Sequence, residues 1–333
     1  MSRTAVLGSG SWGTTFAAVL AEAGHDVVLW TRRAEIAQEI TTQHTNTAYV
    51  PGVTLPDAVT ATTELAEALD GAVLVAVAVP AQSARSILAP ARGLVPEGAV
   101  VLSLMKGIEL ASDQRMSQVL AEVLDVPAER VAVLSGPNLS QEIAEHQPTA
   151  TVIAAMDEGL ARQVSTMCAT ASFRPYTNTD LVGVELCGAA KNVIAIGIGI
   201  AQGRGYGDNT TATIITRGLA EITRLGLALG AEAETFMGLA GMGDLVATCD
   251  SPLSRNHRLG RHIGEGMSVE DAVAATGGTA EGVKTSASVL DLAGRVGVEM
   301  PITQSVVAVL HHGASVDLMG DLLMSRPHKA DGV

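Results

Sequence analysis

The chain has 333 residues, of which 47% are hydrophobic and 17% are charged, and its formal net charge is −14. This length suits two domains, each large enough to bury a core of its own. The acidic balance argues against general binding of nucleic acid or of an anionic membrane surface, because both need a basic face. A small anionic ligand is not excluded, since it needs only a local cluster of positive groups.

The cysteines and the apolar stretches bound the class of protein further. The three cysteines, Cys168, Cys187 and Cys249, lie far apart without CxxC spacing, which predicts neither a disulfide framework nor a metal site. The N-terminus opens on a strand pattern rather than on a targeting segment. No uninterrupted run of about 20 strongly apolar residues is evident. We therefore expect a soluble, cytoplasmic protein that has no membrane-inserted helix and binds no nucleic acid.

The first strand pattern, residues 4–7, leads into a glycine-rich turn and then into a helical pattern that ends at Gly24. In this context the first glycine permits a tight turn, the second lets a pyrophosphate approach the backbone, and the third allows close packing of helix on strand. The N-terminus of the helix supplies free N–H groups. The turn, with Gly8, Gly10 and Gly13 at G-x-G-x-x-G spacing, is therefore predicted to bind a dinucleotide.

The second strand pattern, residues 27–30, is followed by Thr31, Arg32 and Arg33. An NAD-preferring site usually has Asp or Glu here, to bind the ribose 2′-hydroxyl. Two guanidinium groups suit the additional 2′-phosphate of NADP instead. The alternative is a pair of solvated arginines at the start of a helix. We predict that NADP(H) is the favoured cofactor and that NAD(H) is possible.

Further strand patterns alternate with helical ones, at residues 72–79, 100–103, 131–134, 151–154 and 173–177. This alternation predicts an α/β Rossmann-type N-terminal domain, residues 1–182, with a mostly parallel, doubly wound sheet. Ligands of such sheets bind at the carboxyl ends of the strands, where Lys106 and the segment 136–138 fall. A lysine just past a strand is often only solvated, which leaves the role of Lys106 open.

From about residue 181 the strand signals cease, and long helical patterns predict an all-α C-terminal domain, residues 183–325, with a flexible tail at 326–333. The first of these helices has a single lysine, Lys191, in an otherwise small or aliphatic run. A buried ammonium needs a partner or a shifted pKa, and either suits a proton donor or acceptor near neutral pH. The alternative is a structural lysine that reaches the helix edge.

Two polar segments stand out among the later helices. Asp244 follows a glycine-rich stretch, where it can orient a lysine, bind a hydroxyl or merely cap a turn. Ser254, Arg255 and Asn256 combine one guanidinium with two uncharged hydrogen-bonding side chains, which is a candidate anion site. Such triplets also occur by chance in surface loops.

Taken together, these segments resemble the NAD(P)-dependent glycerol-3-phosphate dehydrogenases in their bacterial form. The resemblance runs from Gly8 to about Leu323, in order and at similar spacings. It is carried by GSGSWGT (8–14), MKGIE (105–109), SGPN (135–138), GAAKNVIAIGIGI (188–200), TRGLAEITRLGLALGA (216–231), FMGLAGMGDLVATC (236–249), SRNHRLG (254–260), EG (281–282) and EMPIT (299–303).

The resemblance implies a role for each matched residue. Lys191 matches the family's proton acceptor, and Lys106 and Asp244 complete the catalytic group. The cofactor-binding positions, together with the glycines of the first turn, are Ser11, Trp12, Arg32, Arg33, Lys106, Ser140, Arg255 and Glu281. The substrate-binding positions are Lys106, Gly136, Asn138, Lys191, Asp244, Ser254, Arg255 and Asn256.

The chain departs from the family pattern at three positions. Asn138 stands where relatives usually carry Ser or Thr, Ser140 where they commonly carry Ala, and Gln141 where a basic residue is frequent. These replacements leave the detailed contacts open at those positions.

The implied activity is the reversible reduction of dihydroxyacetone phosphate to sn-glycerol 3-phosphate by NAD(P)H, which supplies the glycerophospholipid backbone. The family further implies a homodimer and no metal. One alternative is a dehydrogenase of 3-hydroxy acids, which uses a related buried-lysine helix but has no need of a phosphate site. Another is a nucleotide-sensing or scaffold protein without turnover, against which the presence of Lys191, Lys106 and Asp244 argues.

Overall fold

The structure is a computed structural model and describes residues 2–110, 112–277 and 281–317. The chain divides into two compact units, the first formed by Met1–Met105 and Arg115–Leu181 and the second by Lys106–Gln114 and Val182–Val333. The segment Lys106–Gln114 therefore groups with the second unit, although it lies within the residues predicted for the first domain. The domain limits at 182 and 325 stay a prediction, and the predicted tail lies outside the described residues.

The first unit contains an eight-stranded sheet with the order β3-β2-β1-β4-β5-β6-β7-β8. Its strands are β1 Arg3–Leu7, β2 Asp26–Trp30, β3 Val59–Thr62, β4 Leu74–Val77, β5 Val100–Ser103, β6 Val131–Ser135, β7 Thr149–Ala155 and β8 Phe173–Asn178. Every neighbouring pair is parallel except β6 and β7. The predicted Rossmann-type, mostly parallel sheet is confirmed.

Strand β3 was missed in the sequence because it lies at the edge of the sheet and reads VTAT, with two of its four residues at least partly exposed. An edge strand pairs on one side only and does not need the continuous apolar run by which the buried strands were recognised. It lies beside β2, so it covers the strand that precedes Arg32 and Arg33.

Helices cover both faces of this sheet. They are α1 Ser11–Glu22, α2 Ala34–Gln43, α3 Leu65–Leu69, α4 Ala84–Leu88, α5 Met116–Leu124, α6 Ser140–Ala144 and α7 Glu158–Cys168. Successive strand residues point to opposite faces. In β1, Val6 enters the apolar cluster beneath α1, α2 and α7, whereas Ala5 and Leu7 enter the one beneath α3, α4 and α5. The uninterrupted apolar strands seen in the sequence follow from this double burial.

The second unit is helical throughout its described residues, apart from its loops and turns. Its helices are α8 Leu181–Gly203, α9 Asp208–Ala228, α10 Ala233–Met237, α11 Asp244–Asp250, α12 Arg255–Gly264, α13 Val269–Ala275, α14 Glu281–Arg295 and α15 Pro301–His312. The predicted all-α architecture is confirmed. A π-helical turn, Leu239–Gly243, leads directly into α11.

Helix α8 is the core helix of the second unit. Among the described residues it is one helix whose length and composition would suffice to cross a membrane, although Glu185 and Lys191 interrupt its apolar run. The most apolar 18 residues of α8 are 94% buried within the protein, as is typical of a core helix of this length and apolarity. The burial explains why the run around Lys191 is small and aliphatic on every side.

Candidate active site

In the glycine-rich turn of the first unit, Gly8 and Gly13 are tightly packed, whereas Gly10 is not. Gly8 has a φ of +118°, and a Cβ placed there would lie 2.5 Å from the Ala78 carbonyl oxygen. A Cβ on Gly13 would lie 1.9 Å from the carbonyl oxygen of Gly8. Within the described part of the chain, by contrast, no atom lies within 4 Å of a Cβ placed on Gly10, and no side chain caps the N-terminus of α1 there. The turn thus offers uncapped N–H groups and room for a pyrophosphate.

Two residues that the sequence reading did not single out hold this turn. The Ser9 hydroxyl donates to Thr31 Oγ1 at 2.7 Å, which links the ends of β1 and β2. The Asn46 side chain is fully buried and donates to the Ser9 carbonyl oxygen at 3.0 Å and to Thr14 Oγ1 at 2.8 Å. The sequence around Asn46 gave no sign of this role. Asn46 reaches the turn only because the folded chain brings it back to residues more than 30 positions earlier.

Arg32 and Arg33 follow β2, which lies parallel to β1, so they share the sheet edge at which α1 begins. Both side chains are exposed, and neither forms an ion pair within the part of the chain that the structure describes. The Arg33 guanidinium lies 5.6 Å from the centre of the Tyr49 ring. Ser11 donates to the Tyr49 carbonyl oxygen at 2.9 Å. Tyr49 is therefore an additional candidate beside the two predicted arginines.

The remaining candidates of the first unit occupy buried or half-buried places. The Trp12 indole N–H and both polar atoms of the Asn138 amide are buried without a hydrogen-bond partner among the described residues. Gly136 follows β6 with a φ of +146°. The main-chain oxygen of Ser140 accepts a bond from Thr15 of α1 at 3.3 Å, which places Ser140 beside the dinucleotide turn. Buried polar atoms without partners suit positions that a ligand completes.

The second unit brings the three predicted catalytic residues together. Lys191 of α8 donates to Asp244 Oδ1, and Lys106 donates to Asp244 Oδ2 at 2.6 Å. Lys191 also donates to Thr248 Oγ1 at 2.5 Å. The side chains of Lys191 and Asp244 are 7% and 2% exposed, and that of Lys106 is 20% exposed. Lys191 therefore does not reach the helix edge, and a single carboxylate is shared by two ammonium groups.

Thr248 is a site residue that sequence reasoning missed. It lies four residues after Asp244 on α11, on the same helical face, and the sequence alone would have allowed this pairing to be proposed. The next residue, Cys249, is also buried, and burial raises the pKa of its thiol to about 12. A thiol of this kind stays protonated at neutral pH, which does not suit a nucleophile.

The environment of Lys191 makes it a weaker base than an ordinary lysine. Burial lowers its pKa from 10.5 to about 8, since it removes the ammonium from water. The Asp244 carboxylate opposes this change, and the second ammonium, Lys106, reinforces it. The group can therefore exchange a proton close to neutral pH.

The glycines before Asp244 are required by close packing. A Cβ on Gly241 would lie 2.1 Å from the Phe236 carbonyl oxygen. Phe236 is itself fully buried, and its ring fills the space that a Cβ on Gly226 of α9 would occupy, 2.0 Å from Cζ. The π-helical turn is pressed onto α10 in this way, and it delivers Asp244 to the first turn of α11.

Glycines also bring the predicted anion site close to the Lys191 helix. A Cβ on Gly199 of α8 would lie 2.1 Å from the His257 carbonyl oxygen, and one on Gly260 of α12 would lie 2.1 Å from the Ile196 carbonyl oxygen. The two helix backbones are therefore in direct contact. Since α12 begins at Arg255, these contacts bring the 254–256 segment beside the part of α8 that follows Lys191.

The three polar residues at the start of α12 have distinct surroundings. Ser254 is the N-cap, and its hydroxyl accepts the His257 main-chain N–H at 3.3 Å. Asn256 Oδ1 accepts the Gly282 N–H of α14 at 3.1 Å. The Arg255 side chain is exposed and forms no ion pair within the described ranges. Glu281, the predicted cofactor contact, immediately precedes Gly282 at the start of α14.

Comparison with known proteins gives the family. Residues 3–161 match the family profile described as NAD-dependent glycerol-3-phosphate dehydrogenase N-terminus, and residues 180–321 match the C-terminus of the same family. The chain belongs to the NAD-dependent glycerol-3-phosphate dehydrogenases. Membership makes it an NAD(P)-dependent oxidoreductase with a small-molecule substrate, which confirms the enzyme class and the dinucleotide cofactor predicted from the sequence.

Relatives of this glycerol-3-phosphate dehydrogenase family are similar over nearly their whole length. The glycerol-3-phosphate dehydrogenase [NAD(P)+] of Streptomyces griseus is 56% identical, over 99% of this chain and 98% of the relative. The enzyme of the same name from Thermobifida fusca is 57% identical, over 94% of each chain. The crystal structure of glycerol-3-phosphate dehydrogenase from Coxiella burnetii has a TM-score of 0.92 at 35% identity and covers 98% of this chain and 99% of that one.

Proposed function

We propose that this chain reduces dihydroxyacetone phosphate reversibly to sn-glycerol 3-phosphate, with Lys191 as the general acid and base. The observation that carries the proposal is the Asp244 carboxylate bound by both Lys191 and Lys106 in a buried setting. The names of the relatives support the substrate, and the shifted pKa of Lys191 supports the assignment of the proton-transferring group.

The hydrogen bonds of Lys191 leave it equipped for this task. An ammonium group has three N–H donors, and those of Lys191 are directed to Asp244, to Thr248 and, we propose, to the C2 oxygen of the substrate. The nicotinamide cofactor supplies the hydride for C2 in the reduction and accepts it in the oxidation. As negative charge develops on the C2 oxygen, Lys191 stabilises it and then donates a proton. In the oxidation, neutral Lys191 removes the proton from the C2 hydroxyl.

Lys106 and Asp244 prepare Lys191 in opposite ways. Asp244 holds the ammonium in place and favours its charged form, whereas the nearby charge of Lys106 favours loss of the proton. With the pKa near 8, Lys191 is mostly protonated at pH 7 and still releases its proton without a large free-energy cost. We propose that Lys106, which is less buried than Lys191, also contacts the substrate.

The start of α12 supplies the proposed phosphate site. The exposed guanidinium of Arg255 can form two charge-assisted hydrogen bonds to a phosphate. Since Asn256 Oδ1 is occupied by the Gly282 N–H, its amide group is oriented with Nδ2 available as a donor. The positive end of the α12 dipole adds to the attraction for an anion.

We further propose that the favoured cofactor is NADP(H). Arg32 and Arg33 are exposed and form no ion pair among the described residues, which supports a role in binding the 2′-phosphate. The Trp12 indole N–H, which has no hydrogen-bond partner among the described residues, and the open space at Gly10 support cofactor contacts there. Ser140 and, in the second unit, Lys106, Arg255 and Glu281 complete the proposed cofactor set.

The setting of the reaction is also a proposal. We place the enzyme in the cytoplasm, where dinucleotides and triose phosphates are available, and all three of its cysteines are free thiols, as suits a reducing compartment. We propose that it acts as a homodimer and that its product supplies the glycerophospholipid backbone, both on the strength of the family.

Absorbance at 340 nm tests the proposed reaction. The purified chain is mixed with NADPH or NADH and with dihydroxyacetone phosphate, and unphosphorylated dihydroxyacetone is the control. Rapid loss of absorbance with the phosphate ester alone is expected. If the nucleotide binds but the ester is not reduced, the substrate assignment is wrong, and 3-oxo acids become the substrates to examine.

A further inference from the structure

The segment that carries Lys106 is anchored at its far end by an ion pair that no step of the proposed reaction uses. Lys106–Gln114 connects β5 to α5, two elements of the first unit, yet its residues group with the helical unit. Ile108 is fully buried in the apolar cluster of that unit. The position of Lys106 therefore depends on how this loop packs against the helical unit.

The loop is closed by its own hydrogen bonds. The Glu109 N–H donates to the Gln114 carbonyl oxygen at 3.0 Å, and the Asp113 N–H donates to the Glu109 carbonyl oxygen at 2.8 Å. The Ser112 hydroxyl donates to Glu109 Oε2 at 2.6 Å. Asp113 adopts a left-handed conformation with a φ of 54°, which aspartate tolerates better than most residues. These bonds link the described residues of the loop to one another.

Asp113 fastens this body to the end of α14. Its side chain is only 3% exposed, and Arg295 Nη2, at the last residue of α14, lies 2.5 Å from Asp113 Oδ2. A buried carboxylate that loses its partner is strongly destabilised, so the pair defines where the loop rests. Arg295 also meets Asp291 at 3.2 Å, but that carboxylate is 64% exposed and lies on the same helix.

The same helix takes part in the proposed phosphate site at its other end. The Gly282 N–H, in the first turn of α14, donates to Asn256 Oδ1 at 3.1 Å. A single helix of 15 residues therefore runs from the proposed phosphate site to the loop of Lys106. The distance between the groups that bind the two ends of the substrate depends on both attachments.

We propose that Asp113 and Arg295 are positioning residues that hold the Lys106 ammonium against Asp244. The inference rests on the proposed function and adds to it a pair remote from the reacting atoms. Breaking the ion pair lets Lys106 move away from Asp244. The substrate is then held less well, and the positive charge of Lys106 acts less strongly on Lys191. Because Lys106 lowers the pKa of Lys191, its withdrawal raises that pKa and moves the pH profile upwards.

The test is Asp113→Asn, which keeps the size and the tolerance of a left-handed backbone but removes the charge. We expect kcat/KM for dihydroxyacetone phosphate to fall about 10- to 100-fold, as small misplacements of substrate-binding groups do, with the inflection of the pH profile at a higher pH. Arg295→Met removes the other partner and is expected to act in the same way. The control is Asp125→Asn, which removes an exposed carboxylate paired with Arg92 in the first unit and is expected to leave both quantities unchanged.

A double-mutant cycle with Lys106→Met decides whether the pair acts through Lys106. If it does, Asp113→Asn has little further effect on kcat/KM or on the pH profile once Lys106 is gone. Two results overturn the inference. One is that Asp113→Asn lowers kcat/KM as much in the Lys106→Met background as in the unaltered enzyme. The other is that Asp113→Asn and Arg295→Met lower the melting temperature but do not move the pH profile. Turnover by the unaltered enzyme is measured first, so that failure of the proposed reaction is distinguished from failure of the positioning role.

Discussion

Lys191 and Asp244 lie 53 residues apart along the chain and form a buried ion pair in the helical unit. The second oxygen of the same carboxylate accepts from Lys106 at 2.6 Å. Two ammonium groups thus share one counter-charge, and burial together with the second cation brings the pKa of Lys191 to about 8 despite the carboxylate.

Replacing Lys191 with methionine should remove the proton donor while filling much of the same space. We expect kcat for dihydroxyacetone phosphate reduction to fall about 100- to 10,000-fold, the range typical of general acid–base assistance. NADPH binding, followed by fluorescence titration, should be unchanged. The control is Lys284→Met, which alters an exposed lysine on α14. Near-normal turnover by a folded, NADPH-binding Lys191→Met variant would show that another group is the acid.

The two directions of the reaction should depend on pH in opposite ways. Reduction needs the ammonium form of Lys191, so its kcat/KM should be level below about pH 8 and fall above it. Oxidation needs the neutral amine, so its kcat/KM should rise through the same pH. Lys106→Met removes a charge that lowers the pKa of Lys191 and should move both inflections upwards. Profiles of kcat/KM against pH, recorded in both directions from pH 6 to 10, check this. Inflections at the same pH in Lys106→Met and in the unaltered enzyme would contradict it.

Arg255→Leu should weaken binding of the substrate phosphate. A charge-assisted hydrogen bond contributes about 1.5–3 kcal/mol, so kcat/KM for dihydroxyacetone phosphate should fall roughly 10- to 150-fold. The reduction of unphosphorylated dihydroxyacetone, which is weak, should fall less, because it loses only the proposed contact of Arg255 with the cofactor. Arg258→Leu, at another exposed arginine of α12, is the matched control. Equal losses with both substrates would place Arg255 away from the phosphate.

The paired substitution Arg32→Ala and Arg33→Ala should change the choice of cofactor. Removing two guanidinium groups should lower kcat/KM for NADPH by about 10-fold or more and leave that for NADH nearly unaltered. The ratio of the two values, measured at a single salt concentration, reports the change. Arg174→Ala, at an exposed arginine of β8, controls for the loss of surface charge. Parallel losses with both cofactors would contradict a 2′-phosphate site.

Glu221 should make the stability of the protein depend on pH. It is 2% exposed and accepts the Ile302 N–H at 2.6 Å and the Thr303 N–H at 3.2 Å, at the start of α15. Burial raises its pKa from 4.5 to about 7, although the main-chain donors oppose this. Between these values the folded protein keeps a proton that the unfolded chain releases. The free energy of unfolding should therefore fall by about 3 kcal/mol as the pH rises through this range.

Melting curves at pH 5 to 8 check the Glu221 prediction. Glu221→Gln keeps an acceptor for the α15 N–H groups but does not titrate, so it should show a flatter dependence of Tm on pH. Glu129→Gln, at an exposed glutamate, should behave like the unaltered protein. An unchanged slope in Glu221→Gln would assign the pH dependence to other groups.

The buried strands, the dinucleotide turn and the Lys191 helix were predictable because each has a local pattern. Double burial makes β4, β5 and β6 continuously apolar, and the glycine spacing from Gly8 to Gly13 reflects close contacts within one turn. The edge strand β3 has no such pattern and was missed. Thr248 was also missed: its spacing from Asp244 is visible in the sequence, but its bond to Lys191 joins residues 57 apart.

By itself, the sequence determined the mostly parallel sheet, the helical second half and the residue types of the site, since periodicity and glycine spacing act over a few residues. Only the tertiary structure decided that β7 runs antiparallel to β6 and that Lys106 belongs with the helical unit. It also decided that Asp244 serves two lysines at once. These features depend on packing between segments that are far apart in the sequence. Close contacts such as that of Gly199 with Gly260 determine which of those segments lie together.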